Sequence, residues 1–209
     1  MTKTKPADWL HWARKIQALS QSGLTYCTDE YNKERYQQLG DIAAEIVKNQ
    51  TELSKKSITE NFNLQNGYAT PKVDVRGAVF RDGKILLVQE RADERWCLPG
   101  GWADVGDSPA EMVMREVWEE SGFKVEPKKV IGVYDANNDG RPLEFYHAYK
   151  IIFLCEITGG QARPSYETLA VDFFHFDNLP PLSSSRTNKR HINEVLKHIK
   201  NPKKNTYFE

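Results

Sequence analysis

Between residues 6 and 65 the apolar positions recur every three or four residues. Trp9, Leu10, Trp12, Ala13, Ile16 and Leu19 form one stripe, with Lys15, Gln17 and Gln21 off it, which is the period of an amphipathic helix. Tyr31, Arg35, Tyr36, Leu39, Ile42, Ala43, Ile46 and Val47 predict a second helix, and Ser57, Ile58, Phe62 and Leu64 a short third one. The pattern changes after Asn66-Gly67 and Pro71, where helix formers give way to β-branched residues. Lys72 to Arg81 alternates Val73, Val75, Gly77 and Val79 against Asp74, Arg76, Ala78 and Phe80. Asp82-Gly83 predicts a two-residue hairpin turn that returns through Ile85, Leu86, Leu87 and Val88. Further strands are predicted near 130–134, 146–157 and 169–176, with Gly159-Gly160 read as a turn. Ile192, Val195, Leu196 and Ile199 share a face of a closing helix over 191–199, and the basic stretch 200–205 reads as a frayed tail. Strands around one helix with another at the end describe an α+β fold with a mixed sheet over residues 69–209, preceded by a small helical domain over 1–68.

One helix in that pattern carries chemistry. Ser108-Pro109-Ala110-Glu111 combines an N-cap serine, a first-position proline and a capping-box glutamate, and Gly122 supplies the stop, so the helix spans Pro109 to Ser121. Glu116, Glu119 and Glu120 then share a sector about 100° wide. Like charges on one face repel, and a hard divalent cation such as Mg²⁺ or Mn²⁺ turns that repulsion into binding. The plain alternative is a solvated acidic face. Two neighbours argue for the cation: Arg115, a fork donor that can orient a carboxylate, and the tight turn at Pro99-Gly100-Gly101, whose carbonyls can approach a metal.

The run Gly101, Asp107, Arg115, Glu116, Val117, Glu119, Glu120, Gly122, Phe123 resembles the Nudix box, and chance agreement at this spacing is of order 10⁻⁸ or less. Asp107 stands where that family usually has Glu, and the resemblance implies a salt-bridging, supporting role there and for Arg115. It further implies the αβα sandwich for about residues 70–200, metal binding by Glu116, Glu119, Glu120 and the Gly101 carbonyl, and hydrolysis of a nucleoside diphosphate linked to a second moiety. The general base is left open between Glu167, in the late stretch SYETLAVDFF, and Glu119 or Glu120. Glu167 is otherwise an ordinary loop residue. Arg76 either grips a substrate phosphate or pairs with Asp74 or an acid of the box. Trp96 and Trp102 flank the glycine turn and either stack a base or pack the core; Tyr146, His147 and Tyr149 are further candidates for the pocket wall.

The stretches DWLHWARKIQALSQSGLTY, PKVDVRGAVF and LPGGWADVGDSP are similar to a bacterial Nudix subgroup with a helical extension, whose members include CDP-choline and ADP-ribose pyrophosphatases. That likeness implies a homodimer involving the extension. CDP-choline, cleaved to CMP and phosphocholine, is the expected substrate; ADP-ribose or another nucleotide sugar is the alternative, and a nucleotide sensor without hydrolysis the distant one.

Composition narrows the rest. Among 209 residues Lys plus Arg equals Asp plus Glu at 29 each, so no overall field gathers nucleic acid or lipid; the resemblance implies a small nucleotide as the partner. Cys27, Cys97 and Cys155 are odd in number and scattered, which fits free thiols rather than disulfides. MTKTKPADW lacks a signal-peptide core and no window approaches 18 apolar residues, so a cytoplasmic protein with no membrane partner is expected.

Overall fold

A computed structural model describes residues 8–63, 67–136 and 147–209. Leu64, Asn66 and Tyr146, all used above, lie outside them. The described residues divide into two compact units, one running to Pro71 and including His147, the other comprising Lys72–Ala136 and Ala148–Glu209.

The first unit holds α1 (Asp8–Tyr26), α2 (Glu30–Gln50) and α3 (Lys55–Phe62). Asp29 and Ser54 cap α2 and α3 by accepting the amides of Asn32 and Ser57. The core is small: Ala13, Ala44, Val47 and Ile58, with Trp9, Ile46 and Phe62 against it. The apolar stripe is only partly buried. Trp12, Leu19, Tyr31 and Ile42 are exposed, whereas Gln17 and Gln21, placed off the stripe by the period, are half-buried and bonded to each other. Close packing explains the shift: Gly23 lies against the Tyr36 ring, and the Ser20 hydroxyl donates to the Tyr36 carbonyl at 2.6 Å.

The second unit is a seven-stranded mixed sheet between two helices. Its elements are β1 (Lys72–Arg81), β2 (Lys84–Glu90), β3 (Trp96–Cys97), α4 (Pro109–Ser121), β4 (Phe123–Asp135), β5 (Ala148–Gly160), β6 (Thr168–His175), α5 (Lys189–Lys200) and β7 (Tyr207–Phe208). The order is β3-β2-β1-β5-β4-β7, with β6 pairing β2. β1–β5 and β4–β7 are parallel and the rest antiparallel. One core packs Val75, Val79, Leu86 and Phe153 with Met112, Val113 and Val117 of α4, and the other packs Ala78, Ile85, Leu87 and Ile152 with Ile192 and Val195 of α5. The hairpin turn has Asp82 and Gly83 both at positive φ, as a two-residue turn requires.

Three expectations need correction. β4 runs thirteen residues rather than five, because register shifts at Lys124/Val125, Pro127/Lys129 and Val130/Gly132 break the alternation that would have marked it. Gly159-Gly160 is no turn: it is the end of β5, opposite Phe123 and Lys124. Gly160 has φ +84°, and a Cβ there would come within 3.0 Å of the Phe123 Cα, so close backbone approach selects the glycine. The tail is not frayed. Lys129 Nζ donates to the carbonyls of Pro202 (2.9 Å) and Lys204 (3.1 Å), Thr206 donates to the Val130 carbonyl (2.7 Å), and β7 pairs β4 at Gly132 and Val133. Tyr207 lies 5.2 Å from Tyr134, ring centre to ring centre, and Glu209 pairs with Arg190. Burial of one such side chain is worth about 2 kcal/mol. A chain ending at Asn205 is therefore expected to melt roughly 5 °C lower, read by calorimetry; an unchanged melting temperature would return the tail to a surface role.

Candidate active site

The site begins with the ends of α4. The Ser108 hydroxyl accepts the Glu111 amide while the Glu111 carboxylate accepts the Ser108 amide, and Gly122 closes the helix at φ +77°. This cap fixes the rotation of α4. Val113 and Val117 go into the core over Gly77, and Glu116 and Glu120 turn toward the 98–101 loop. Glu120 is only 5% exposed.

The loop is stitched to β1 by backbone bonds. Val75 N–H donates to the Gly101 carbonyl (2.9 Å), Gly77 N–H to Pro99 (2.9 Å), and Ala103 N–H to Val73 (2.8 Å). The Leu98 N–H is taken by the Thr187 hydroxyl at 2.9 Å. Gly100 has φ +138°, and a Cβ there would stand 2.8 Å from the Arg76 Cα, so no larger residue fits. Its N–H donates to Glu120 Oε2 at 2.9 Å. Glu116 Oε2 rests 3.1 Å from where a Cβ on Gly101 would be. The Gly101 carbonyl expected to bind metal thus already accepts one hydrogen bond and has one lone pair left.

Arg115 gathers the acids on the outer side. Its guanidinium meets Asp104 (2.6 Å), Asp107 (3.2 Å), Glu116 (3.4 Å) and Glu119 (3.3 Å). Asp104 was not singled out by sequence, since it falls between the fixed positions of the box. The Glu119 side chain is 46% exposed and turned to Arg115, away from the buried position that Glu120 holds.

Burial pushes the Glu120 carboxyl up to about 8, against the pull of Arg76 and the Gly100 N–H, with the charges of Glu90 and Glu116 adding to the rise. Burial also raises Glu116; Arg115 opposes this, while Glu119 and, further off, Glu167 reinforce it. Among the described residues no three His, Cys, Asp or Glu side chains converge tightly enough to hold a metal ion. Glu116 and Glu120 nevertheless fit a hard divalent cation, because their oxygens are of the right type and their charge is under-compensated by the protein.

Glu167 is exposed on the turn before β6. The Ser165 hydroxyl accepts its N–H (3.1 Å), its carbonyl accepts the Arg91 N–H (2.9 Å), and the adjacent Thr168 hydroxyl donates to the Glu120 carbonyl (3.0 Å). The turn is thereby fastened to the last turn of α4. Of the aromatics, Trp96 is core, edge-on to Phe174 at 4.6 Å, while Trp102 is 48% exposed beside the loop. Tyr149 is partly exposed and His147 half-buried.

Arg76, expected to grip a substrate phosphate or pair with an acid, is buried. Its Nε donates to Asp74 (2.8 Å) and its Nη1 to the Leu98 carbonyl (3.1 Å). The other oxygen of Asp74 meets Lys150. Glu90 lies near this group, accepting from the Cys97 thiol (3.1 Å) and pairing with Arg186 (3.3 Å). Sequence reasoning missed Lys150, Glu90 and Arg186. Lys150 had a signal: a lone charge inside the apolar run of β5 demands a partner.

Residues 7–62 match a family described as a UDP-X-like N-terminal oligomerisation domain, and residues 70–195 match the NUDIX domain. A Bacillus subtilis protein, provisionally named ADP-ribose pyrophosphatase YjhB, is 42% identical over 201 residues, 96% of this chain and 97% of its own length. A crystal structure of a Streptococcus suis ADP-ribose pyrophosphatase is 38% identical, covering 67% of this chain and all of that one, with a TM-score of 0.61. One of a UDP-X diphosphatase is 30% identical, covering 99% of this chain and all of that one, with a TM-score of 0.63. No helix of the described residues is long and apolar enough to cross a membrane. With a box helix that turns a buried and a half-buried glutamate onto a glycine loop, and a match running through both of its parts, the chain belongs to the Nudix hydrolases and is a pyrophosphohydrolase of that family.

Proposed function

We propose that the chain hydrolyses the diphosphate of ADP-ribose or a closely related nucleoside diphosphate sugar. The observation that carries this reading is the likeness over almost the whole length to a relative named for ADP-ribose. CDP-choline, the substrate expected from sequence, has no comparable support among these relatives. In this reading Glu116 and Glu120 hold Mg²⁺ or Mn²⁺, with Glu119 joining when it leaves Arg115 and the Gly101 carbonyl as a further ligand. A bound divalent cation supplies charge against the diphosphate and lowers the pKa of water. The chain does the rest. Arg115 and Asp107 hold the acids in place, the Gly100 N–H fixes Glu120, and Glu167 takes the proton from the attacking water. The helical domain forms a homodimer. Its exposed Trp12, Leu19, Tyr26 and Tyr31 and the description of the family it matches support this.

The test is kcat/KM for the purified protein with Mg²⁺ or Mn²⁺ on ADP-ribose, UDP-glucose, CDP-ethanolamine and CDP-choline. ADP-ribose is expected to be the best substrate. A dominant rate on CDP-choline would overturn the substrate and keep the chemistry. Silence on all four with metal bound would leave a nucleotide-binding protein without hydrolysis.

A further inference from the structure

We infer that Trp102 is the platform on which the nucleobase of the substrate stacks. The inference rests on the hydrolytic reading of the site given above. Trp102 directly follows Gly101, one Cα step of about 3.8 Å away, and its backbone is held on both sides. The Gly101 carbonyl accepts the Val75 N–H at 2.9 Å, and the Ala103 N–H donates to the Val73 carbonyl at 2.8 Å. Those two bonds flank an antiparallel bridge between Trp102 and Asp74. Residues paired in this closely spaced way turn their side chains to the same face. The neighbours of Trp102 turn the other way: Gly101 faces Glu116, and Ala103 packs on the core that β1 shares with Met112, Val113 and Val117 of α4. Alternation therefore carries the indole across the backbone from the acids, to the side of Asp74.

The direction of this side chain is fixed, yet the ring does not fill the core. Trp102 is 48% exposed, whereas Trp96, just before the loop, packs edge-on against Phe174. Asp74 and Arg76 on its inner side are buried and paired at 2.8 Å. Lys72 Nζ lies 5.8 Å from the ring centre, within cation–π range. A rigid backbone thus mounts a half-exposed indole one residue from the carbonyl that faces the metal position. Of the two groups that a nucleoside diphosphate sugar carries on its diphosphate, only the nucleoside ends in an aromatic ring. Stacking of a base on such a ring contributes to affinity whatever the base, because every base has a π face. The competing role for Trp102 is an apolar cover that keeps water from the Asp74–Arg76 pair.

The test separates these roles, and separates both from the hydrolytic reading. Three quantities are measured with Mg²⁺ present: kcat and KM on the best substrate of the wild type, quenching of tryptophan fluorescence by AMP and CMP against ribose 5-phosphate, and the melting temperature. Trp102→Leu keeps an apolar cover over Asp74 and removes the π face. It is expected to raise KM about tenfold or more with kcat within about threefold. Trp102→Phe keeps a ring and is expected to stay within about threefold of wild type in KM. AMP or CMP is expected to quench the wild type and ribose 5-phosphate is not. That quench is expected to vanish in Trp102→Phe while calorimetry shows the nucleotide still bound. If Trp102→Leu yields no folded protein, the quench comparison decides alone. Equal rises of KM in the Leu and Phe variants, a KM within about twofold of wild type in Trp102→Leu, a bound nucleotide that does not quench the wild type, or quenching by ribose 5-phosphate overturns the inference with the reading of the site intact. A fall in kcat and melting temperature at unchanged KM makes Trp102 a cover for the Asp74–Arg76 pair, and overturns it as well. A wild type that hydrolyses no nucleotide yet is quenched by AMP or CMP overturns the hydrolytic reading and upholds the platform; one that does neither overturns both.

Discussion

Glu120→Gln is expected to lower kcat by about a hundredfold or more and, unusually for a buried substitution, to raise the melting temperature of the metal-free protein at pH 8. Both effects come from one carboxyl. Burial raises it from 4.5 to about 8, so the folded state holds its proton more tightly than the unfolded chain does. Stability of the metal-free protein is then fully expressed below about pH 4.5 and declines as pH rises to about 8, above which both states have lost the proton and the penalty is complete. That penalty is on the order of a few kcal/mol, several degrees in melting temperature. Gln has the same shape, and its carbonyl oxygen can still accept the Gly100 N–H that Glu120 accepts at 2.9 Å. It therefore removes the pH slope without opening a cavity, and removes with it the negative charge that would hold a cation. Melting curves in EDTA at pH 6 and pH 8, with kcat measured in Mg²⁺, check both halves. A variant no more stable than wild type at pH 8 would show that Glu120 is not held at such a penalty, and an unchanged kcat would remove it from the mechanism.

That carboxyl was legible as a residue in the sequence, and its environment was not. The limits of α4 follow from local chemistry, Ser108 with Glu111 at one end and Gly122 at the other, and the structure keeps both. The hairpin at Asp82-Gly83 is equally local. What escaped depends on pairing between distant residues. β7 joins β4 only because the chain returns after α5, and nothing in a basic tail announces a parallel partner at Gly132 and Val133. The true length of β4 is hidden by three register shifts. In the helical unit the period is correct, but α1 and α2 meet through Gly23 and Ser20, so Trp12 and Leu19 are left outside. At the site, the box named the acids that share a helix face, whereas Lys150 and Asp74 meet through a β1–β5 register. Substrate identity is not legible in the box for the same reason. In the proposed reading the box faces the diphosphate, and the group attached to it would meet side chains of other elements.

Glu167→Gln is expected to lower kcat by about 10²- to 10⁴-fold with KM little changed, the range for loss of a general base. The position argues for this more than the residue type does. Glu167 lies one residue before Thr168, whose hydroxyl holds the Glu120 carbonyl at 3.0 Å, and the Glu167 carbonyl is held by the Arg91 N–H at 2.9 Å. The turn therefore moves with α4, and the Glu167 charge is one of those that raise Glu116. Its side chain is exposed and free to meet a water at the diphosphate, whereas Glu120 is buried on the Gly100 amide and Glu119 is paired with Arg115. Gln keeps the size and removes the proton acceptor, so Mn²⁺ affinity and melting temperature are expected to match wild type. Single-turnover rates with saturating ADP-ribose give the cleanest reading. A change under about threefold would make Glu167 a plain surface residue and move the base to Glu119, the remaining box acid with solvent access.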